Sequence, residues 1–154
     1  MTYYPYEKFV TDVKALVQMT KEYNPDTIVA IARGGVMLGH AYASATNNRQ
    51  LMSINSILYE NDKRGTKCEI FSIPDLSRAK RVILFDDIVD TGQTIKEVIG
   101  QLNISYPDVE IKIASIYYKK TAVVQADFTL HETTEWIDFF WEKDFLEENN
   151  DTKH

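Results

Sequence analysis

One segment constrains this chain more than any other: Val82-Ile83-Leu84-Phe85-Asp86-Asp87-Ile88-Val89-Asp90-Thr91-Gly92-Gln93-Thr94. It opens as an apolar run with the pattern of a buried central strand. The run ends in two adjacent carboxylates, Asp86 and Asp87. In open parallel sheets, ligands bind at the carboxyl ends of the strands. Side chains alternate along a strand, so Asp86 and Asp87 are expected to point different ways, one toward a ligand and one toward its support or a metal. The chain then turns into a helix through Asp90-Thr91-Gly92-Gln93-Thr94. A helix start frees several backbone N–H groups and carries a partial positive charge. Thr91 and Thr94 add hydroxyl donors and Gly92 permits close approach, so the turn reads as a phosphate cradle. Taken singly, Asp-Asp after a strand is commonplace, and Thr-Gly at a helix start is often only a cap. Together in one ordered segment they demand more, because three crowded carboxylates repel unless a metal, sugar hydroxyls or a base sits among them.

The flanking pattern supplies the rest of an α/β domain. Tyr6, Phe9, Val10, Val13, Leu16, Val17 and Thr20 share one helical face over residues 5–23, until Asn24-Pro25-Asp26 breaks the helix. Thr27–Ala32 reads as a buried strand, followed by Arg33-Gly34-Gly35 and a helix over 36–46. An extended stretch covers 51–59. The polar run Glu60–Lys67 reads as a mobile loop, and Glu69–Ile73 as a short strand that brings it back. The strand Arg81–Phe85, a helix from Thr91 or Gly92 to about Asn103, and the strand Val109–Tyr118 alternate as in a mainly parallel sheet. The last third holds Trp136 and Trp141 and ends in an acidic stretch, Glu142–His154, read as a solvated tail. A length of 154 residues fits one domain, 1–154.

A net charge of −6 argues against a protein that coats nucleic acid by bulk electrostatics, though it leaves room for a local anion site. The single cysteine, Cys68, allows no internal disulfide, which fits a reducing cytoplasm. No apolar run approaches the roughly 20 residues of a membrane span, and no signal-peptide pattern is visible at the start.

The acidic segment resembles the phosphoribosyl pyrophosphate (PRPP) signature of the type I phosphoribosyltransferases: an apolar strand, two acids, two apolar residues, then Asp-Thr-Gly-x-Thr. The resemblance implies that fold, with a small irregular C-terminal hood at about 131–145. It implies that Asp86 and Asp87 hold the ribose hydroxyls, directly or through Mg2+, and that Asp90, Thr91, Gly92, Gln93 and Thr94 bind the 5′-phosphate. Gln93 stands where purine-specific members often carry glycine. Ala32-Arg33-Gly34-Gly35 is similar to the family's pyrophosphate loop, which places Arg33 and Gly34 at the leaving group and a cis peptide between Ala32 and Arg33. Residues 60–68, with Lys63, Arg64 and Lys67, are the implied lid. Leu58 replaces a serine that precedes Tyr59 in relatives.

Beyond that core, Tyr117-Tyr118-Lys119-Lys120 ends a strand, and a lysine there can donate to the O6 of a 6-oxopurine. Trp136 offers an indole for stacking. The order of these features is similar to the bacterial xanthine-guanine phosphoribosyltransferases. That resemblance implies Lys119 at O6, Trp136 stacked on the base, the Ile137 backbone at its 2-position side, and Asp90 at N7 as general acid/base. Lys120, where relatives carry proline, competes with Lys119 for the role. Glu142 stands where an aspartate is expected. The implied substrates are PRPP and guanine, xanthine or hypoxanthine, in a cytoplasmic homodimer or homotetramer that takes no nucleic acid. A transferase for another base and a PRPP-fold nucleotide- or RNA-binding regulator remain alternatives.

Overall fold

The computed structural model describes residues 1–61 and 65–147. Its centre is a six-stranded sheet in the order β4-β3-β2-β5-β6-β7. The strands are β2 (Thr27–Ala32), β3 (Leu51–Asn61), β4 (Gly65–Phe71), β5 (Arg81–Val89), β6 (Glu110–Tyr118) and β7 (Phe128–Glu132). Only the β3–β4 pair is antiparallel. A parallel strand is covered on both faces, which explains the nearly continuous apolar sequence of β2 and its burial from Thr27 to Ile31. In β5, Ile83 and Phe85 join the core beneath α1 (Tyr6–Met19) and α2 (Val36–Ala45), while Val82 and Leu84 join the core beneath α3 (Gln93–Ser105). At the lower end of the sheet, Asp26 ties β2 to β5 by accepting the Lys80 and Arg81 amides at 3.1 and 2.7 Å.

Several boundaries differ from the sequence pattern for identifiable reasons. The first helix stops at Met19 and not at residue 23: past Thr20 the i−4 ladder gives way to a tighter turn, with the Lys21 amide on the Gln18 carbonyl at 3.4 Å. Tyr6 lies off the buried face, exposed, with its ring edge-on to Phe140. Much of the run read as a loop at 60–67 belongs to a β-hairpin whose ladder extends to Asn61↔Gly65. β3 pairs with β2 only over Leu51–Asn55, and its outer part pairs with β4 alone. Lys63 and Arg64 lie outside the described residues.

The C-terminal third is organised by a strand that the pattern did not reveal. β1 (Thr2–Tyr4) pairs in parallel with β8 (Ile137–Phe139). Fully buried Tyr4 meets Phe139 and Trp141 edge-on, and Phe139 stacks on Trp141 with centroids 4.6 Å apart. The Tyr4 hydroxyl donates to Asp12 at 2.6 Å, and His131 approaches the same carboxylate at 3.0 Å. The start of the expected tail is structured: Glu142 and Lys143 end α4 (Phe140–Lys143), and Tyr3 donates to Asp144 at 2.8 Å. Among the described residues, no helix is long and apolar enough to cross a membrane.

Candidate active site

β5 carries Asp86 and Asp87 within the strand itself, which runs on to Val89 instead of ending at Phe85. The Asp87 amide donates to Asp86 Oδ1 at 2.9 Å and the Ile88 amide to Asp87 Oδ1 at 2.7 Å, so each carboxylate accepts the amide that follows it. Asp87 lines the cleft described below, and the two carboxyl groups influence each other. Burial, followed by the charge of Asp87, holds the Asp86 carboxyl well above the usual range. Burial pushes Asp87 up to about 6; the hydrogen bond from Asp86 opposes this and the nearby charge of Glu142 adds to it. Asp87 is only 8% exposed. Gly34, in the turn between β2 and α2, packs against its carboxylate. Arg33 stands exposed in the same turn, after a cis Ala32–Arg33 peptide.

Past Val89 the chain passes Asp90 and Thr91 and enters α3 through Gly92, whose φ of 83° is the left-handed region that glycine tolerates best. A Cβ there would also lie 2.7 Å from the Val124 nitrogen. The turn is tied to the chain beyond β6 by Lys119 N–H to Val89 O at 2.9 Å and Val123 N–H to Thr91 O at 2.8 Å. Thr94 lies in the first helical turn, where amides have no intrahelical acceptor. The Gln93 amide side chain is turned along its own helix, donating to Glu97 at 2.7 Å.

The same ties bring Lys119 over the turn. Its Nζ lies 2.9 Å from Asp90 Oδ1, with the lysine 29% exposed. Lys120 points elsewhere, 73% exposed and 3.5 Å from Glu132. Asp90 and Lys119 line a cleft of about 110 Å³ with Asp87, Trp136, Ile137 and Glu142. Ile137 is buried, part of the core that backs the cleft. Gly34 packs against Asp87, and Asp87 in turn lines the cleft with Asp90, Lys119, Trp136 and Ile137. Larger hollows of about 620 and 730 Å³ lie around Arg81 and around Arg49, toward the opposite ends of the strands. They contain none of these groups.

The family model described as the phosphoribosyl transferase domain matches residues 2–148. The chain belongs to the phosphoribosyltransferase family. It is 30% identical over 133 residues to a xanthine-guanine phosphoribosyltransferase of Chromohalobacter salexigens, covering 85% of this chain and 77% of the relative. A xanthine-guanine-hypoxanthine phosphoribosyltransferase of Helicobacter pylori superposes with a TM-score of 0.87 at 34% identity, covering 93% and 94% of the two chains. A phosphoribosyltransferase domain-containing protein of Xenopus laevis is 26% identical over 111 residues; the match takes in 64% of this chain and about half, 49%, of that relative. The parallel-dominated sheet flanked by helices is the type I phosphoribosyltransferase fold, and the chain resembles the bacterial xanthine-guanine members.

In this phosphoribosyltransferase, no three His, Cys, Asp or Glu side chains among the described residues group into a ready metal cage. Asp86 and Asp87 nevertheless fit Mg2+, which takes one or two carboxylates and completes its shell with water and substrate phosphates. Burial disfavours charge on both carboxyls, and a dication beside them would offset that cost. Asp138 was not singled out from the sequence; it is buried and accepts the Trp136 indole N–H at 3.1 Å. The available signal was the alternate spacing of Trp136 and Asp138. Nothing in the sequence pattern marked the seating of Gly34 against Asp87.

Proposed function

We propose that this phosphoribosyltransferase moves the 5-phosphoribosyl group from PRPP to N9 of guanine, xanthine or hypoxanthine. The products are the nucleoside 5′-monophosphate and pyrophosphate. The observation that carries this is the Lys119–Asp90 pair, 2.9 Å apart in the cleft beside the phosphate turn. A 6-oxopurine protonated at N7 presents an acceptor, O6, next to a donor, N7–H. Lys119 only donates and ionised Asp90 only accepts, so the two side chains match those neighbouring atoms. Adenine presents an amino donor in place of O6. The names of the C. salexigens and H. pylori relatives support the same choice of bases.

The same reading assigns the remaining roles. Trp136 stacks on the base, and the backbone of Ile137 meets its 2-position side. The turn from Asp90 to Thr94 receives the 5′-phosphate with backbone amides and hydroxyls. Asp86 and Asp87 hold the ribose hydroxyls and a Mg2+, which when bound offsets negative charge on the pyrophosphate. Arg33 and the close-approaching backbone of Gly34 attend the leaving group. As the N9–C1′ bond forms and the bond from C1′ to pyrophosphate breaks, Asp90 takes the proton from N7. The setting is purine salvage in the cytoplasm, by a homodimer or homotetramer whose size light scattering would give.

A competition assay tests this directly. The enzyme is given PRPP, Mg2+ and equal concentrations of guanine, xanthine, hypoxanthine, adenine and orotate, and the nucleotides are resolved by mass spectrometry. The 6-oxopurine nucleotides are expected to accumulate first. A dominant adenine or orotate product defeats the base assignment and leaves the family intact. Tight RNA binding with no nucleotide formed would favour a regulator.

A further inference from the structure

Trp136 and Asp138 stand two residues apart where the chain runs into β8, so they project to the same side of the extended backbone. The Trp136 indole N–H donates to Asp138 Oδ1 at 3.1 Å. Their exposures differ sharply: Asp138 is 5% exposed and Trp136 is 49% exposed. The other oxygen of Asp138 lies 3.8 Å from Lys143 Nζ on α4. β1 holds the same strand from its other side through the register Tyr3↔Asp138. A buried, braced carboxylate therefore grips the polar edge of a ring that is half exposed and lines the cleft. A side chain left free at such a place loses rotamer freedom when a ligand binds, and one held beforehand loses less.

We infer that Asp138 is a positioning residue for base recognition, setting the plane of the Trp136 indole before the purine arrives. This rests on the base-site reading above. Asp138 acts through Trp136, so its effect falls on the base and not on PRPP.

The test is a double-mutant cycle with Asp138→Leu, Trp136→Phe and the combined variant. It reads KM for guanine, KM for PRPP and the indole N–H resonance of Trp136 in a 15N-labelled sample. Asp138→Leu is expected to raise KM for guanine about tenfold, the range of a lost hydrogen bond to a charged group, with KM for PRPP within about twofold. In the Trp136→Phe background, where the N–H donor is already gone, Asp138→Leu should add nothing to the guanine effect. The indole resonance should move in Asp138→Leu. An equal effect in both backgrounds, an equal rise in both KM values, or an unmoved indole resonance would overturn the positioning role. If Asp138→Leu does not fold, Asp138→Asn decides. Its weaker acceptor should shift the indole resonance and raise KM for guanine about twofold to threefold only where Trp136 is present; no difference between the backgrounds overturns the role. Trp136→Ala separates the two levels. If it leaves KM for guanine unchanged while the indole still responds to Asp138, the base-site reading has failed and the hydrogen-bonded lock has not.

Discussion

Replacing Gly34 by alanine tests the acidic pair through its neighbour. The new methyl carbon would lie 2.5 Å from Asp87 Oδ2, 2.7 Å from Cγ and 2.8 Å from Oδ1. Ordinary non-bonded contact begins near ~3.5 Å, so the shortfall is about 1 Å at the nearest of these atoms. Asp87 yields with difficulty, because it is buried and its Oδ1 holds the Ile88 amide at 2.7 Å. Either the carboxylate or the Arg33-Gly34 turn must shift by about that distance, and a displacement of about 1 Å at a positioning group costs roughly 10²-fold in rate. Gly34 does not use a left-handed φ, so alanine brings no backbone penalty of its own. The expected result is a loss of roughly 10²-fold in kcat/KM for PRPP at saturating base. The Mg2+ dependence should move to higher concentration, and the melting temperature should fall by only a few degrees. A folded Gly34→Ala enzyme within threefold of the parent would refute the placement of Asp87 at the reacting centre.

Asp90→Asn keeps the turn and removes the proton acceptor; kcat should fall by roughly 10²–10⁴ with KM for PRPP preserved, and an unchanged single-turnover rate would contradict the role. Burial raises the Asp86 and Asp87 carboxyls, so the folded chain binds protons more tightly than the unfolded chain. Their contribution to stability is therefore greatest below the usual carboxylate range and is lost as pH rises toward about 6 and beyond. Mg2+ should accordingly raise the melting temperature more at pH 7.5 than at pH 5, and equal shifts would count against metal binding there. Asp26→Ala removes the acceptor that joins the Lys80 and Arg81 amides to β2. It should cost about 1–3 kcal/mol in urea unfolding with kcat unchanged in the folded protein.

The sheet was legible where one residue pattern serves one environment. Residues 28–32 and 82–85 are apolar throughout because both faces of their strands are covered. The turn into α3 was legible because Gly92 and its neighbours must satisfy a helix start and a left-handed φ within a few residues. The outer part of the 51–71 hairpin was not, because β3 leaves the sheet after Asn55 and its outer pairs use backbone hydrogen bonds that leave no apolar signature. β1 escaped for a similar reason: Thr2–Tyr4 is too short to show a period, and its partner β8 lies at the far end of the chain. The acids were found because they follow an apolar run; that each carboxylate accepts the next amide along was not, since no residue pattern encodes that contact. That Lys119 and not Lys120 pairs with Asp90 was not legible, because it depends on the Lys119–Val89 backbone hydrogen bond, a contact between strand ends that no local pattern encodes.

The most direct measurement of base choice is the ratio of kcat/KM for guanine to that for adenine, in the parent enzyme and in Lys119→Met. Adenine would leave the lysine facing an amino group, and an unmade hydrogen bond to a charged group costs about 1.5–3 kcal/mol. The parent ratio should therefore be roughly 10- to 200-fold in favour of guanine. Lys119→Met should collapse it toward unity, chiefly by raising KM for guanine, while Lys120→Met should leave it within about twofold, as expected of an exposed ion pair. A parent enzyme that uses adenine as well as guanine, or a ratio that survives Lys119→Met, would contradict recognition of a 6-oxopurine by this lysine.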